Sequence, residues 1–171
     1  MQKPEIKPNP AHEALARLES DWEGDFLLVT QNIDDLHERA GSKKLLHMHG
    51  ELKKVFCQKC DEKFQWLNDL GLDDSCPTCK AKANLRPDIV WFGEMPYYMD
   101  EIAEKLHVAE LFLSVGTSGL VYPAAGFARE AWKAKRIEVN LQSTDISDAF
   151  HDHRIGKAGI ELPRLVEELL N

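Results

Sequence analysis

The sequence predicts an α/β fold in which a parallel sheet carries a small cysteine-rich insertion. Short apolar runs typical of buried strands alternate with amphipathic segments typical of helices, and this alternation favours a parallel sheet with crossover connections. The apolar runs end in short polar or glycine-containing turns, which is where ligands bind in open α/β sheets. Two C-x2-C pairs interrupt the alternation and indicate a separate metal-binding unit.

Length and charge narrow the possible functions. The 171 residues fit one domain with a small insertion. The formal charge of −8 gives no basic face for a nucleic-acid backbone. No apolar run approaches the roughly 20 residues that cross a membrane, and the first residues lack the apolar core of a signal peptide. We therefore expect a cytoplasmic protein without nucleic-acid or membrane partners.

The first elements follow from local signals. Apolar residues at helical spacing predict an amphipathic helix over residues 10 to 21, with Asn9 as N-cap and Pro10 at the first position. His12 is expected on the solvent side of this helix. The next elements are predicted as a strand at residues 26–30, a helix at 34–40 ended by Gly41, and a strand at 44–48.

The four cysteines define the insertion. They have the spacing C-x2-C-x15-C-x2-C, at Cys57, Cys60, Cys76 and Cys79. In a cytosolic chain this spacing favours four thiolates around one structural zinc ion, with no open position for water. A redox dithiol pair and four unconnected thiols are the alternatives. Hydrophobic periodicity is lost from about residue 52 to residue 85, so we interpret this segment as an insertion stabilised by the metal.

The α/β pattern then resumes. Its predicted elements are an extended segment at 86–94, a helix at 99–107, a strand at 111–115, a helix at about 123–133, a strand at 136–139 and a helix at 162–170. Polar turns at Asn32, at Gly116 to Ser118 and at Asn140 should therefore line one crevice. No G-x-G-x-x-G fingerprint of a nucleotide-binding turn occurs in the chain.

A histidine pair follows the first of these turns. Asn32, Asp34 and His49 are the first candidates for chemistry because they come just after an apolar strand. Strand alternation places His47 and His49 on the same face, so periodicity alone does not choose between them. A structural, hydrogen-bonded histidine is the alternative for His49. The remaining histidines, His37, His107, His151 and His153, are expected at the surface.

The ordered motifs resemble the sirtuin family of NAD-dependent protein-lysine deacylases, of the bacterial class III type. The matching residues are Thr30-Gln31-Asn32-Ile33-Asp34, His49-Gly50, both C-x2-C pairs, Phe92-Gly93-Glu94, Gly116-Thr117-Ser118 and Asn140. The resemblance covers nearly the whole chain. It implies a Rossmann-like sheet over residues 1–51 and 86–171, with a zinc-binding insertion at 52–85. It also implies that the family's first strand and glycine-rich NAD-binding segment would precede Met1, so that the sheet is incomplete here.

The resemblance also implies a role for each site residue. His49 would be the catalytic base that takes a ribose hydroxyl proton. NAD would contact Gln31, Asn32, Ile33, Asp34, Gly116, Thr117, Ser118, Asn140, Leu141, Gln142 and Ala158. The acylated lysine of a protein substrate would contact Val90, Phe92, Gly93 and Glu94, partly by backbone pairing. The implied cofactors are NAD and one structural zinc ion.

The implied reaction removes an acyl group from lysine and transfers it to ADP-ribose. Because the first strand of the family is missing, we expect this chain to bind NAD weakly and to turn over slowly. The alternative is a catalytically silent zinc-ribbon and peptide-binding module.

Overall fold

A computed structural model describes residues 5–171 of the chain. The helices are α1 (Pro10–Asp21), α2 (Leu36–Ala40), α3 (Met99–Val108), α4 (Phe127–Glu130) and α5 (Ala158–Leu170). The strands are β1 (Leu28–Thr30), β2 (Leu45–His47), β3 (Gly50–Cys57), β4 (Lys63–Gln65), β5 (Leu85–Ile89), β6 (Leu111–Val115), β7 (Lys135–Asn140) and β8 (Asp152–Ile155). None of the described helices is both long enough and apolar enough to cross a bilayer.

The strands form three sheets. Strands β1 and β2 pair in parallel, and β6, β7 and β8 form a second parallel sheet in that order. Strands β4, β3 and β5 form an antiparallel sheet that contains the cysteine-rich segment. Within residues 5–171 the two parallel sheets are not joined by strand pairing. The predicted α/β fold with parallel strands and a cysteine-rich segment is confirmed.

Helices cover both faces of the parallel strands. Leu28 of β1 packs with α1 and α5, whereas the next residue, Val29, packs with α3 and α4 on the opposite side. Leu111 and Phe112 of β6 divide in the same way. This alternation follows from the two-residue period of a strand, and it leaves the carboxyl ends of β1, β6 and β7 free to carry a site.

Helix α1 confirms the local signals at its start. The Asn9 side chain accepts a hydrogen bond from the Ala11 backbone N–H at 2.9 Å, and Pro10 occupies the first helical position. The His12 ring in turn accepts from the Asn9 backbone N–H at 3.2 Å. Two otherwise unpaired donors are thereby satisfied, as in a capping box.

Several elements differ from their predictions. Residues 50–89 form the antiparallel sheet, although the hydrophobic periodicity of their sequence is weak. Strand pairing and the tight turns at the cysteine pairs determine their conformation instead of a regular apolar pattern. Strand β8 was not predicted, since its sequence has no apolar alternation and its pairing with β7 decides its conformation. Helix α4 ends at Glu130 after a 3-10 turn, and α5 begins at Ala158 instead of residue 162.

The surface positions expected for His12 and His37 are wrong. Their side chains are buried, with 9% and 8% exposed, and their ring centroids lie 4.7 Å apart. Helix α2 packs against α1, so two histidines that local periodicity assigns to solvent cover each other. Burial, the largest influence, lowers the pKa of both rings.

Candidate active site

The turn after β1 is held by its own side chains. The Thr30 hydroxyl accepts a hydrogen bond from the Asn32 backbone N–H at 3.1 Å. Asp34 accepts from the Leu36 N–H at 3.0 Å and so starts α2. The Ile33 carbonyl accepts from the backbone N–H of Leu52 in β3 at 2.8 Å. A polar turn at the end of a strand is thus fixed in one conformation, as a binding site requires.

His49 lies against the same turn. Its Nδ1 is 3.0 Å from the Gln31 carbonyl oxygen. Because a carbonyl can only accept, Nδ1 must be the donor, and a neutral ring then carries its lone pair on Nε2. The ring is half-buried. This tautomer is the one that a general base needs.

Gly50 explains how His49 comes so close to the next strand. Its φ of +83° lies in the left-handed region, and a Cβ atom would sit 2.0 Å from the Asp88 carbonyl oxygen. The His49 carbonyl accepts from the Val90 N–H at 3.0 Å. Only glycine allows β3 and β5 to approach here, and their approach places residues 89–94 beside His49.

The three polar turns meet as predicted. The Gln31 amide donates to the Thr117 hydroxyl at 3.4 Å, and the Asn140 amide donates to the Thr117 carbonyl at 2.7 Å. The Gly116 N–H donates to the Val139 carbonyl at 2.9 Å. Thr117 therefore connects the turn of one parallel sheet to the turns of the other.

The outer candidates surround this centre. Asn32, Gly116, Ser118, Leu141 and Gln142 are exposed. The Asn140 carbonyl accepts from the Gly156 N–H at 2.8 Å, which brings the start of α5 at Ala158 towards the same crevice. A crevice lined by exposed amides, hydroxyls and backbone groups suits a polar ligand such as a ribose and its phosphates.

The candidate substrate segment is stabilised by an arginine that the sequence did not single out. Phe92 is fully exposed and Gly93 has a φ of +90°. Glu94 accepts two hydrogen bonds from the Arg86 guanidinium, at 2.6 and 2.9 Å, and a third from the Trp91 N–H at 2.9 Å. The Arg86 hydrogen bonds lower the pKa of Glu94 to about 2. The guanidinium also lies 3.9 Å from the Trp91 ring centroid.

The four cysteines converge. Cys57 and Cys79 place their sulfurs 3.6 Å apart, Cys60 and Cys76 place theirs 3.7 Å apart, and all four lie within 4.8 Å of one another. Zinc–sulfur bonds of about 2.3 Å in a tetrahedron put neighbouring sulfurs about 3.8 Å apart. The donor set and its spacing therefore fit one zinc ion with a closed ligand shell.

The two cysteine pairs also share a backbone geometry. In each pair the residue after the second cysteine, Asp61 or Lys80, donates to the carbonyl of the first, at 2.8 and 3.0 Å. Both residues have a positive φ, of 58° and 61°. This repeated tight turn aims two sulfurs at one point and is the local reason for the C-x2-C spacing.

A buried carboxylate supports the third turn. Glu138 of β7 is fully buried and accepts hydrogen bonds from Thr144, Ser147 and His153 at 2.8, 2.6 and 3.2 Å. These contacts fix the loop that follows Asn140. A charged residue between Ile137 and Val139 in a buried strand was the sequence signal for this network.

Comparison with known proteins finds a matching family model and similar proteins. A model of the Sir2 family matches residues 1–123. An NAD-dependent protein deacylase of Bdellovibrio bacteriovorus is 61% identical over 170 residues, which cover 99% of this chain and 72% of that protein. An NAD-dependent protein deacylase of Vibrio vulnificus is 49% identical over 172 residues, which cover 99% of this chain and 70% of that protein.

Solved structures of Sir2 homologues are also similar to this chain in fold and sequence. The crystal structure of a Sir2 homologue–NAD complex has a TM-score of 0.85 and 35% identity, and the match covers 98% of this chain and 68% of that chain. The structure of Sir2Af2 bound to a myristoylated histone peptide has a TM-score of 0.80 and 37% identity, with 96% of this chain and 72% of that chain covered.

Proposed function

The chain belongs to the Sir2, or sirtuin, family, and on that basis we propose that it catalyses the NAD-dependent removal of acyl groups from protein lysine side chains. The similar deacylases and the similar NAD and acyl-peptide complexes support this activity. The single observation that carries it for this chain is the meeting of three polar turns at Thr117 beside His49.

These contacts support a proposed role for each residue of the first turn and for His49. NAD, when bound, would supply the ADP-ribosyl group that takes up the acyl group, with nicotinamide as the leaving group and water consumed as lysine is freed. In this proposal Gln31, Asn32 and Asp34 hold the reacting end of the cofactor, with Ile33 between them. His49 presents the unprotonated Nε2 that can take a ribose hydroxyl proton, because its Nδ1 is committed to the Gln31 carbonyl.

The other half of NAD is assigned to the second parallel sheet. In this proposal the polar groups of Gly116 to Ser118 and of Asn140 to Gln142 bind the adenosine half, and Ala158 lies against the adenine. The exposure of these turns and the fixed loop beneath them support the assignment. The glycine at 116 leaves open space beside its backbone, where no atom lies within 4 Å of a built Cβ.

We assign substrate binding to residues 90–94. Val90 and Gly93 would offer backbone groups to an extended peptide, and the exposed Phe92 ring would wall the acyl chain. The two hydrogen bonds from the Arg86 guanidinium to the Glu94 carboxylate support this assignment, because they fix the loop on which Phe92 is exposed to solvent.

The remaining assignments concern organisation. We propose that residues 52–85 act as a zinc-binding insertion between two Rossmann-like parts, residues 1–51 and 86–171, with the zinc ion stabilising the fold only. We propose a cytoplasmic location, supported by four cysteines that converge as free residues and not as disulfides. Cell fractionation tests this location, and recovery of the protein outside the cytoplasm would refute it.

The deacylase proposal is tested with acylated peptides. The chain should release free lysine peptide and nicotinamide only when NAD is present. His49→Ala should lower the rate about 100-fold to 10,000-fold, as expected for loss of a general base. His107→Ala on the exposed side of α3 is the matched control and should keep the rate.

Two results would count against this function. Deacylation that proceeds without NAD, or at an unchanged rate in His49→Ala, would refute it. Saturable binding of acylated peptide without any nicotinamide release would instead favour the peptide-binding module.

A further inference from the structure

A second histidine is fixed beneath the same turn as His49. His47, the last residue of β2, is buried, with 7% exposed. Its Nδ1 is 3.1 Å from the Asn32 carbonyl oxygen, and its Nε2 is 2.8 Å from a carboxylate oxygen of Glu38. Both partners are acceptors, so both ring nitrogens are donors. The geometry therefore describes a charged imidazolium ring between α2 and the turn.

The surrounding charges favour this cation. Burial is the largest influence and works to lower the pKa of His47, but the hydrogen bonds to Glu38 and to the Asn32 carbonyl, with the charges of Glu38 and Glu51, outweigh it and raise the pKa. For Glu38, burial works to raise the pKa, and the His47 hydrogen bond helps to lower it overall. The two shifts agree in describing an ion pair.

Other titratable groups lie on the same side of the turn. They are Asp34 and Asp35 in the turn, His37 and Glu38 on α2, and Glu51, Lys53 and Lys54 on β3. Lys53 pairs with Asp35, and Lys54 pairs with Glu51. The carboxylate that bonds directly to His47 is Glu38, so Glu38 is the group whose removal should change the titration of His47 most.

We propose that His47 is a positioning residue whose imidazolium holds the Asn32 carbonyl, and with it the turn from which Gln31, Asn32 and Asp34 reach NAD. This inference rests on the proposed function of that turn. His47 and His49 donate from Nδ1 to the neighbouring carbonyls of Asn32 and Gln31. The Nε2 of His47 is bonded to Glu38, however, so this ring does not serve as the base.

The proposal predicts a pH dependence of cofactor binding. Below its raised pKa, His47 keeps both donors and the turn is held. As the pH rises through that pKa, the ring loses one proton. The deprotonated nitrogen then turns its lone pair towards an acceptor, so one of the two hydrogen bonds is lost. The KM for NAD should therefore rise on the alkaline side, while kcat at saturating NAD changes less.

Two variants separate the contacts of the ring. His47→Asn places an amide near the position of Nδ1 and can still donate to Asn32. His47→Gln reaches the position of Nε2, so it keeps the Glu38 contact and loses the Asn32 contact. We expect the KM for NAD to rise about 3-fold to 10-fold in His47→Gln, the loss of one hydrogen bond, and less in His47→Asn. His107→Asn is the matched surface control.

A third variant tests the charge. Glu38→Gln removes the carboxylate that holds the proton on His47, so the alkaline midpoint of the KM profile should move to lower pH. A histidine that only filled space would give no such shift. Equal KM changes in the Asn and Gln variants, or an unmoved midpoint in Glu38→Gln, would overturn the proposal.

NMR separates this inference from the proposed function. The ring signals of His47, assigned by their loss in His47→Asn, should titrate above the ordinary histidine pKa of about 6.5, and the Glu38→Gln variant should lower that value. This measurement needs no turnover. If the unmodified chain releases no nicotinamide, the proposed function fails, and the titration still decides whether His47 is the cation on the turn. Titration at or below the ordinary value would overturn the inference.

A metal ion is the competing occupant. Ligand atoms of Glu38, His47 and Glu51 lie within 4.8 Å of one another. Adding a second equivalent of zinc to the chain whose four cysteines already hold one ion should leave the His47 titration unchanged, because the ring is paired with Glu38. A titration shift on that addition would show a metal-bound ring and overturn the proposal.

Discussion

Replacing Gly50 with alanine should destabilise the protein more than the same change at Gly93. Both glycines have a left-handed φ, +83° at Gly50 and +90° at Gly93. A Cβ at Gly93 meets no atom within 4 Å, whereas at Gly50 it would lie 2.0 Å from the Asp88 carbonyl oxygen. The pair therefore separates backbone strain, which both variants share, from a clash that only one contains.

The expected magnitudes follow from these distances. A left-handed alanine costs about 1 to 2 kcal/mol at either position. Since nonbonded heavy atoms pack best at about 3.5–4.0 Å, the Gly50 variant must also push β3 and β5 apart by more than about 1 Å. That displacement weakens about two backbone hydrogen bonds at about 1 kcal/mol each. We expect a total of about 3 to 4 kcal/mol for Gly50→Ala.

Thermal unfolding followed by circular dichroism measures the difference. For a chain of this size, 1 kcal/mol corresponds to about 2–4 °C in Tm. The two variants differ by the clash alone, about 2 kcal/mol, so Gly50→Ala should melt about 4–8 °C below Gly93→Ala. Equal melting temperatures would refute the reasoning, because they would mean that β3 and β5 do not approach as closely as the structure has them.

Three further predictions follow. Glu138→Gln should remove a pH-dependent part of the free energy of unfolding. Burial works to raise the pKa of Glu138, but the hydrogen-bond donors around it, led by Ser147, lower the pKa overall. The carboxylate therefore stabilises above the unfolded pKa of about 4.3, the variant's deficit should vanish as the pH falls through the lower folded value, and parallel melting curves would contradict this. Cys76→Ser should reduce bound zinc from about one ion per chain, measured by mass spectrometry of the metal, and a folded variant that retains its full zinc would show that Cys76 is not a ligand. Arg86→Lys keeps the charge but loses the fork to Glu94, so the KM for acylated peptide should rise while the KM for NAD stays; equal changes in both would refute this role.

Local signals in the sequence were sufficient where neighbours along the chain decide the structure. Asn9 and Pro10 mark the start of α1, and the apolar run at 111–115 coincides with β6. The turns at Gly116 and Asn140 follow neighbouring parallel strands, which carry their carboxyl ends to one edge. The turn at Asn32 belongs to the other parallel sheet and meets them through the contact between Gln31 and Thr117.

Contacts between distant residues could not be predicted in this way. His37 is buried because α2 lies on α1, and Arg86 reaches Glu94 because a turn at Trp91 reverses the chain. The roles of His47 and His49 are another case, since alternation assigns both to one face. The family resemblance favours His49 as the base, and in the structure the Nε2 of His47 contacts Glu38, a contact that the period of a strand does not reveal.

The most direct test of the central claim is the stoichiometry of the reaction. Mass spectrometry of a single incubation with acylated peptide and NAD should find one nicotinamide and one acylated ADP-ribose for each lysine that is freed. That ratio would establish acyl transfer to ADP-ribose, the reaction proposed for the turns around Thr117 and His49. Free carboxylic acid released without nicotinamide would contradict the account.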